Sequence, residues 1–371
     1  MMVARKTKME KTLRKDLYVK DSWFEKECLN IFHKEWFCVA RTEDLAKPGE
    51  YRIINLTGES IILIHGKDDV IRAFFNVCKH RGCQLLDDND KEGASGNLIN
   101  NIRCPYHSWT YNFDGSLLKA PHLKINIKDR QYHLNEIKTE IWGGFIFLKI
   151  GKNNIQLKNH LGNTPNQFIR YPIKDLISKV NIKYTIKANW KVIIENYNEC
   201  YHCAGIHPEL CKVVPAFKKN GGSNLIWEEG VPQRKGTNTY TFTGTTNRPP
   251  FPDLNAAEKE RHFGQSIYPN LLISLSMDHI AAFIIFPVDS GKTIIDFKIL
   301  FHPEAISSNN FDPNDAAEFW DTANIQDWNI CERVQKGMQS ISFKQGYYSP
   351  MEDENLDIRK YISEKLRVDV D

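Results

Sequence analysis

The chain has 371 residues, of which 41% are hydrophobic and 26% charged, as in ordinary globular proteins. Lys and Arg exceed Asp and Glu by 49 − 46 = 3, a surplus too small to indicate nucleic-acid binding. The longest apolar run, 280–286, is far shorter than the ~20 residues of a membrane-spanning helix. Residues 1–20 lack the apolar stretch of a signal peptide, so the nine cysteines predict thiols and metal ligands in a cytoplasmic protein.

The first part of the chain predicts a helix followed by a small β module. Residues 21–36 place apolar side chains at helical spacing. Short β-rich runs separated by Gly, Asn and Asp predict strands at 51–55, 60–65, 70–75 and 141–149. The polar stretch 157–171 indicates a connection to a second domain.

The second part predicts antiparallel strands and a long final helix. Strands are expected at 180–187, 240–243, 271–275, 281–286 and 293–301. One helix should begin near Asn189 and end around Gly205, and the last should begin at Asp312, where Asp-Pro supplies an N-cap and first-turn proline. Residues 221–263 predict loops over a site. The fold class is therefore α+β, with an N-terminal helix segment at 1–40, an all-β domain at 41–155 and a larger domain at 156–371.

Two short motifs in the β module pair cysteine with histidine. Cys78-Lys-His80 and Cys104-Pro-Tyr-His107 supply two thiolates and two imidazoles, the ligand set of a Rieske [2Fe–2S] centre. A structural zinc site with the same donors is the alternative. Zinc motifs usually pair Cys with Cys and His with His, whereas each motif here supplies one of each, which favours the cluster. The polar insertion 87–96 between the motifs should be a surface loop.

These motifs carry a family resemblance. Cys78-Lys-His-Arg-Gly and Cys104-Pro-Tyr-His-Ser-Trp-Thr-Tyr-Asn-Phe-Asp-Gly resemble the cluster loops of Rieske non-haem iron oxygenases. Respiratory Rieske proteins carry one further Cys in each loop, and here Tyr106 stands at the second of these places. Cys83 is therefore expected to be a packing thiol. A Rieske electron carrier is the non-enzyme alternative, but such a carrier needs only the β module.

A second group of candidate ligands follows Asn189. Glu199-x2-His202-x4-His207 offers two imidazoles, and two imidazoles with one carboxylate form the facial triad of non-haem Fe(II) oxygenases. On the predicted helix, Gly205 would break the turn and bring His207 back to the metal. A zinc site that includes Cys200 and Cys203 is the alternative. His202 lies directly between these two cysteines, and we interpret both as packing residues.

Asp327 is the candidate for the third ligand. It lies on the last predicted helix at a position where apolar residues recur in steps of three and four. The apolar positions are Phe319, Ala323, Ile330, Cys331, Val334, Met338 and Ile341. Because a buried carboxylate without a partner is costly, Asp327 should bind a metal or a cation. A hydrogen-bonded or salt-bridged aspartate is the alternative.

The resemblance implies more than the residues alone. In the family the acid before the first His is not a ligand, so Glu199 would connect His107 of the partner subunit to His202 within a homotrimer. It also implies a helix-grip, START-like catalytic domain and a flavin and iron–sulfur reductase that draws electrons from NAD(P)H. The cofactors would be a [2Fe–2S] cluster and a mononuclear Fe(II) held by His202, His207 and Asp327.

The substrate class is suggested by smaller similarities. Glutamate at position 199 and the segments Cys331-Glu-Arg-Val-Gln-Lys-Gly and Tyr347-Tyr-Ser-Pro-Met-Glu resemble the branch that oxidises carnitine, choline or glycine betaine. A monooxygenase for a quaternary ammonium compound is therefore expected, and an aromatic ring-hydroxylating or O-demethylating oxygenase is the alternative. Such an ammonium group is best held by aromatic faces. Each residue that could form such a cage is more typical of a core or lid position, and these residues are Tyr197, Tyr201, Phe217, Trp227, Tyr240 and Phe263.

Overall fold

The computed structural model describes residues 8–87, 94–222 and 225–369, which form two compact units. One unit is Phe32–His160, and the other combines the described parts of Met1–Ile31 and Leu161–Asp371. The unit Phe32–His160 begins before residue 41 and ends after residue 155, which are the predicted boundaries of the all-β domain. Among the described residues, no helix is long and apolar enough to cross a membrane.

The N-terminal segment contains strand β1 (Glu10–Arg14) and helices α1 (Asp16–Val19) and α2 (Asp21–Glu27). A five-residue π-helical segment, Cys28–Phe32, follows α2. The helix predicted over 21–36 therefore extends too far, since the helical segments end at Phe32. The chain then enters a strand at Phe37, and all five residues of this strand are buried.

The unit Phe32–His160 is all β apart from short turns of helix. Its strands are β2 (Phe37–Arg41), β3 (Glu50–Leu56), β4 (Glu59–His65), β5 (Ile71–Phe75), β6 (Ser95–Asn97), β7 (Ile102–Arg103), β8 (Thr110–Tyr111), β9 (Leu117–Lys119), β10 (Glu136–Trp142) and β11 (Phe145–Lys149). One antiparallel sheet has the order β2–β11–β10–β5–β4–β3–β6, and a smaller one has the order β7–β8–β9.

Most strand predictions in this unit are confirmed at β3, β4 and β5. The single strand predicted at 141–149 is wrong. Gly143 and Gly144 have φ angles of 57° and 79°, and they turn the chain between β10 and β11, which pair as a hairpin. Of the surface loop predicted at 87–96, residues 88–93 lie outside the described residues, and its end enters β6.

The rest of the chain combines a large sheet with helices. Its elements are α3 (Leu157–Leu161), α4 (Thr164–Gln167), β12 (Ile177–Ile186), α5 (Trp190–Tyr197), α6 (Cys203–Ile206), α7 (Pro208–Val213), α8 (Pro215–Lys218), β13 (Val231–Pro232), α9 (Ala256–Lys259), β14 (Arg261–Ile267), β15 (Leu271–Leu275), β16 (His279–Asp289), β17 (Lys292–Phe301), α10 (Pro303–Ile306), α11 (Asn314–Met338), β18 (Gln345–Tyr348) and α12 (Asn355–Leu366). The antiparallel sheet has the order β12–β17–β16–β15–β14–β13, and β1 pairs with β18. The predicted α+β class is confirmed.

Four predictions in this part need correction. Residues 240–243 form an irregular loop rather than a strand. The helix after Asn189 ends at Tyr197 and not near Gly205. Helix α11 begins at Asn314, with Pro313 rather than Asp312 at its N-cap. The predicted apolar stripe also extends too far, since Ile341 follows the end of α11 and is 97% exposed.

A buried ion pair fastens the N-terminal segment to α5. The carboxylate of Glu27 lies 2.5 Å from Nζ of Lys191 and accepts a hydrogen bond of 2.8 Å from the indole N–H of Trp190. Both charged side chains have no exposed surface. Since removal of one partner would leave a buried charge uncompensated, this pair holds α5, which leads into the candidate site, in a defined place.

Candidate metal centre and its cavity

The three predicted iron ligands meet at one point. Nε2 of His202 and Nε2 of His207 are 3.2 Å apart. Oδ1 of Asp327 lies 2.9 Å from the His207 nitrogen and 3.3 Å from that of His202. Two donors that each lie about 2.1 Å from one metal at a right angle are about 3 Å apart. The three atoms therefore fit one face of a metal ion's coordination sphere.

The chain reaches this geometry by breaking its helix earlier than predicted. One carboxylate oxygen of Glu199 accepts hydrogen bonds from the backbone N–H groups of Tyr201 and His202, in competition with helix continuation after α5. His202 then lies at the N-cap of α6 and His207 at that of α7. Gly205, the predicted breaking point, lies inside α6.

Cys203 competes with Asp327 for the place of third donor. Ligand atoms of His202, Cys203 and His207 lie within 4.8 Å of one another, and Sγ of Cys203 is 3.9 Å from Nε2 of His202. Burial raises the pKa of the Cys203 thiol well above its usual range. Burial acts in the same direction on Asp327, but hydrogen bonds from the two imidazoles outweigh it and lower its pKa. The ionised, nearer carboxylate is thus the better donor.

Each imidazole is oriented by a second side chain on its outer nitrogen. Nδ1 of His202 lies 2.6 Å from Oε1 of Glu199, and Nδ1 of His207 lies 2.7 Å from Oε1 of Gln326. An acceptor at Nδ1 fixes the proton there and leaves Nε2 free to bind a metal. Although burial lowers the pKa of His202, hydrogen bonds from its ring to Asp327, Cys203 and Glu199 raise that pKa overall. Nothing in the sequence pointed to Gln326 except its place beside Asp327.

A cavity of about 820 Å³ opens beside these three residues, and ten of the residues that line it are Phe, Tyr or Trp. Consecutive ring centroids along its wall are 5.8 Å apart for Tyr197 and Phe283, 6.0 Å for Phe283 and Trp320, and 5.5 Å for Trp320 and Tyr240. Tyr240 also stacks on His262 at 3.9 Å. Among the candidates from the sequence, Tyr197, Phe217, Trp227, Tyr240 and Phe263 line the cavity. Tyr201, in contrast, is half-exposed and outside it.

Sequence reasoning missed several wall residues. Phe283, Trp320 and Trp328 belong to apolar strand and helix patterns that look the same whether a ring faces a core or a cavity. A buried network fixes Trp320: its indole N–H donates to Nε2 of His279 at 2.9 Å, and Nδ1 of His279 lies 3.0 Å from Asp278.

The charged groups of the cavity are mostly acidic. The lining residues include seven carboxylates, those of Glu199, Glu228, Glu229, Glu258, Asp327, Glu354 and Asp357, against two arginines, Arg170 and Arg261. Arg170 is already paired with Glu258 at 2.5 and 2.7 Å. Glu199 and Asp327 belong to the candidate metal centre, but the other five carboxylates still outnumber the two arginines, which favours a cationic ligand.

The two Cys-x-His and Cys-x2-His motifs lie side by side in the other unit. Cys78 and Cys104 are each 2% exposed, whereas His80 and His107 are exposed, with ring centroids 4.7 Å apart. Backbone N–H groups of Tyr106 and His107 lower the pKa of Cys104 although burial acts to raise it. Tyr111 places its hydroxyl 3.3 Å from Sγ of Cys78. Two buried thiols facing two imidazoles fit the ligand set of a Rieske cluster.

An all-β unit with this ligand set, joined to an α+β unit with a two-histidine, one-carboxylate cluster, defines the class of Rieske non-haem iron oxygenases. Residues 35–131 match the Rieske [2Fe-2S] domain, and residues 173–367 match the ring hydroxylating alpha subunit (catalytic domain). The chain belongs to this ring-hydroxylating oxygenase family. Its cofactors are a [2Fe–2S] cluster and a mononuclear iron, and its electrons come from a separate reductase.

Relatives of known activity resemble most of the chain. The carnitine monooxygenase oxygenase subunit of Acinetobacter baumannii is 32% identical over 90% of this chain and 86% of its own length. The glycine betaine monooxygenase oxygenase subunit of Pseudomonas aeruginosa is 29% identical over 91% and 85%. A crystal structure of the quaternary ammonium Rieske monooxygenase CntA with L-carnitine superposes with a TM-score of 0.74 at 28% identity, covering 96% of both chains. The alternative of a bare electron carrier is thereby excluded.

Proposed function

We propose that this chain is the oxygenase subunit of a two-component monooxygenase that acts on a quaternary ammonium compound of the carnitine, glycine betaine or choline type. The observation that carries the proposal is the ring-lined, acid-rich cavity beside His202, His207 and Asp327. Aromatic faces attract a cation that has no hydrogen to donate, and the surplus of carboxylates strengthens that preference. The similarity to carnitine and glycine betaine monooxygenase oxygenase subunits supports the proposal.

The proposal assigns a role to each predicted site residue. Cys78, His80, Cys104 and His107 hold the cluster, and His202, His207 and Asp327 hold the mononuclear iron. When bound, that iron supplies the activation of O2, by which one oxygen atom enters the substrate and the other leaves as water. Glu199 and Gln326 keep the two imidazoles in the orientation that presents Nε2 to the metal.

The cavity residues bind the substrate and exclude water from it. Tyr197, Phe283 and Trp320 present ring surface to the ammonium group. This contact directs an N-methyl or neighbouring carbon towards the proposed metal centre. A hydroxyl on such a carbon makes a carbinolamine, which breaks its C–N bond and releases formaldehyde or another aldehyde. The buried Trp320–His279 hydrogen bond keeps one of these rings from turning.

The same proposal includes a homotrimer and a flavin and iron–sulfur reductase. Glu199, bound to His202, would accept a contact from His107 of the partner subunit and so connect the cluster of one chain to the iron of the next. The exposure of His107 supports this role, because its ring is accessible to another chain. A cytoplasmic location is also part of the proposal, supported by nine cysteines that all lie outside disulfide bonds.

The test is oxygen uptake by the reconstituted holoenzyme with a reductase and NADH. Carnitine, glycine betaine, choline and a panel of aromatic acids are offered separately, and aldehyde is measured alongside O2. Aldehyde formed in step with O2 on an ammonium compound is expected. Coupled turnover on an aromatic acid alone would reject the substrate class and leave the iron assignments in place.

A further inference from the structure

A buried chain of hydrogen bonds leads from the cavity wall to a cluster of charges. The indole N–H of Trp320 donates to Nε2 of His279 at 2.9 Å, and Nδ1 of His279 lies 3.0 Å from Oδ1 of Asp278. The other oxygen of Asp278 accepts a hydrogen bond of 2.8 Å from Nε of Arg248. Among these four residues only Trp320 lines the cavity. Whatever the other three do for a bound ligand therefore passes through the Trp320 ring.

The two partners of His279 determine which of its ring nitrogens carries the proton. An indole only donates hydrogen bonds, so the nitrogen that faces Trp320, Nε2, must accept. The proton then lies on Nδ1, where the carboxylate of Asp278 accepts it. Although burial raises the pKa of Asp278, its contacts with His279, Arg248 and Thr239 lower that pKa to about 2. The acceptor thus stays ionised, and the imidazole stays in the orientation that suits the indole.

The guanidinium of Arg248 joins three separate parts of the chain. Arg248 is 6% exposed and lies between β13 and α9, whereas Asp278 lies in the turn between β15 and β16. Nη1 of Arg248 also donates to the backbone oxygen of Asp312 at 2.5 Å and to Oδ1 of Asp315 at 2.6 Å. Asp315 lies in the first turn of α11, the helix that carries Trp320. Arg248 therefore holds both the carboxylate that orients His279 and the helix that carries the indole.

These contacts select one orientation of the Trp320 ring. The torsion that turns a tryptophan ring about its bond to Cβ is broad and roughly two-fold, so a ring that has been turned over is a natural competitor. The turned ring would move its N–H away from His279, and an unpaired buried donor is unfavourable. In the selected orientation the ring centroid lies 6.0 Å from that of Phe283 and 5.5 Å from that of Tyr240.

Helix α11 relates this ring to the candidate metal centre. Trp320 and Asp327 are seven residues apart on α11, which is nearly two turns. Both side chains therefore lie on one face of the helix, about 10 Å apart along its axis. A cation that rests against the Trp320 ring is thus held at a set place relative to a proposed iron ligand.

We propose that Arg248, Asp278 and His279 are positioning residues that fix the Trp320 ring as a binding surface for the ammonium group of the substrate. The three residues act through the indole and do not touch the substrate. This inference rests on the proposed function and extends it, because it makes the affinity for a quaternary ammonium cation depend on a charge cluster outside the cavity.

The test separates the two hydrogen bonds of His279. In His279→Gln the amide reaches the place of Nε2 and can present an oxygen to Trp320, whereas in His279→Asn it reaches only the place of Nδ1. Trp320→Phe keeps a ring and removes the donor, and it is also combined with His279→Asn in a double variant. Binding of tetramethylammonium to each anaerobic holoenzyme is measured by titration calorimetry, together with the iron content.

The matched control is His65→Gln, in the unit Phe32–His160. Nδ1 of His65 lies 2.8 Å from the backbone oxygen of Leu45, so this variant also alters a hydrogen-bonded imidazole but one outside the cavity lining. It should leave the affinity for tetramethylammonium unchanged.

We expect His279→Asn to weaken tetramethylammonium binding by about 5- to 10-fold, which is within the contribution of one cation–π contact. His279→Gln should lose less than about twofold, because its amide oxygen replaces the acceptor. When Trp320→Phe is already present, His279→Asn should weaken binding by less than about twofold further, since its effect passes through the indole N–H. The iron content should be the same in all variants.

Three results would overturn the inference. A loss in His279→Gln as large as that in His279→Asn would mean that the imidazole fills space rather than accepts from Trp320. An undiminished effect of His279→Asn in the Trp320→Phe background would show that His279 acts by another route. Iron lost in proportion to affinity would indicate a general disturbance of the fold. Failure of the unaltered enzyme to bind tetramethylammonium would reject the proposed function and this inference with it, whereas the other three results reject the inference alone.

Discussion

Glu199 contacts the ring of His202 at Nδ1, the nitrogen that faces away from Asp327. Its Oε1 lies 2.6 Å from Nδ1 of the imidazole, while Nε2 of the same ring lies 3.3 Å from Oδ1 of Asp327. The other oxygen of Glu199 accepts hydrogen bonds from the backbone at Tyr201 and His202. One carboxylate therefore shapes the turn after α5 and orients an imidazole of the proposed metal centre.

Replacement of Glu199 should impair turnover more than iron binding. In Glu199→Gln an amide oxygen can still accept from Nδ1 of His202, but the negative charge is gone. We expect turnover to fall by about 10- to 100-fold, an effect typical of altering a side chain that orients a metal ligand. Glu199→Asp keeps the charge on a shorter side chain and should lose less. The measurements are steady-state turnover and the rate at which a reduced cluster is reoxidised on adding substrate and O2.

The control for Glu199 is Glu318→Gln, an exposed glutamate on α11. It should leave both rates unchanged. Normal reoxidation in Glu199→Gln would contradict the proposed role in electron transfer and leave only the structural role in the turn.

Asp327→Asn should remove the mononuclear iron selectively. The neutral amide is a weaker ligand than the carboxylate that now lies 2.9 Å from His207 and 3.3 Å from His202. Iron analysis should show loss of the mononuclear iron only, and the visible absorption of the cluster should persist. Asp321→Asn is the matched control, because Asp321 lies on the same helix but accepts a hydrogen bond from Tyr184 instead. Full iron content in Asp327→Asn would favour Cys203 as the third donor.

The sequence predicted which side chains come together at the candidate metal centre better than it predicted the helices that carry them. Cysteine and histidine at fixed spacings indicate a metal site even when the local backbone structure is not known. Asp327 is recognisable as a carboxylate among apolar helical positions. The early end of α5 was not predicted, because this helix end depends on contacts of the Glu199 side chain with the backbone. The ring of Phe283 gave no signal either, since an apolar strand looks the same whether it faces a core or a cavity. A local side-chain contact thus decides where α5 ends, and long-range packing decides where the Phe283 ring lies.

Gln326 should prove necessary for tight iron binding although it is not a proposed ligand. Its Oε1 lies 2.7 Å from Nδ1 of His207, and its side-chain nitrogen donates to Glu209 at 3.3 Å. Gln326→Leu leaves the His207 N–H without an acceptor, so we expect iron affinity to fall by about 10- to 100-fold. Iron retention during dialysis against a chelator measures this effect.

The matched control is Gln339→Leu at the end of α11, remote in sequence from the proposed ligands. It should retain iron as the unaltered protein does. Equal retention by Gln326→Leu would show that the His207 ring is held by its other contacts alone.

The pH dependence of folding should reveal the carboxyl of Glu195. Burial raises its pKa from 4.5 to about 7, although hydrogen bonds from the hydroxyls of Tyr18 and Tyr348, at 2.5 and 2.6 Å, act to lower it. Because the folded protein holds this proton more tightly than the unfolded chain, the contribution of Glu195 to stability is fully present below pH 4.5 and is lost as the pH rises through about 7. The loss should be roughly 3 kcal/mol in the free energy of unfolding.

Glu195→Gln isolates this contribution because it keeps an oxygen for the two tyrosine hydroxyls and removes the titration. Urea unfolding at a series of pH values between 4.5 and 7.5 should give a flatter curve for this variant than for the unaltered protein, so the two free energies of unfolding diverge as pH rises. The exposed Glu318→Gln should reproduce the original slope. If the slopes of Glu195→Gln and the unaltered protein coincide, the carboxyl is ionised in the folded state. The nearby buried Lys191, whose charge acts to lower the pKa of Glu195, would then be what stabilises the anion.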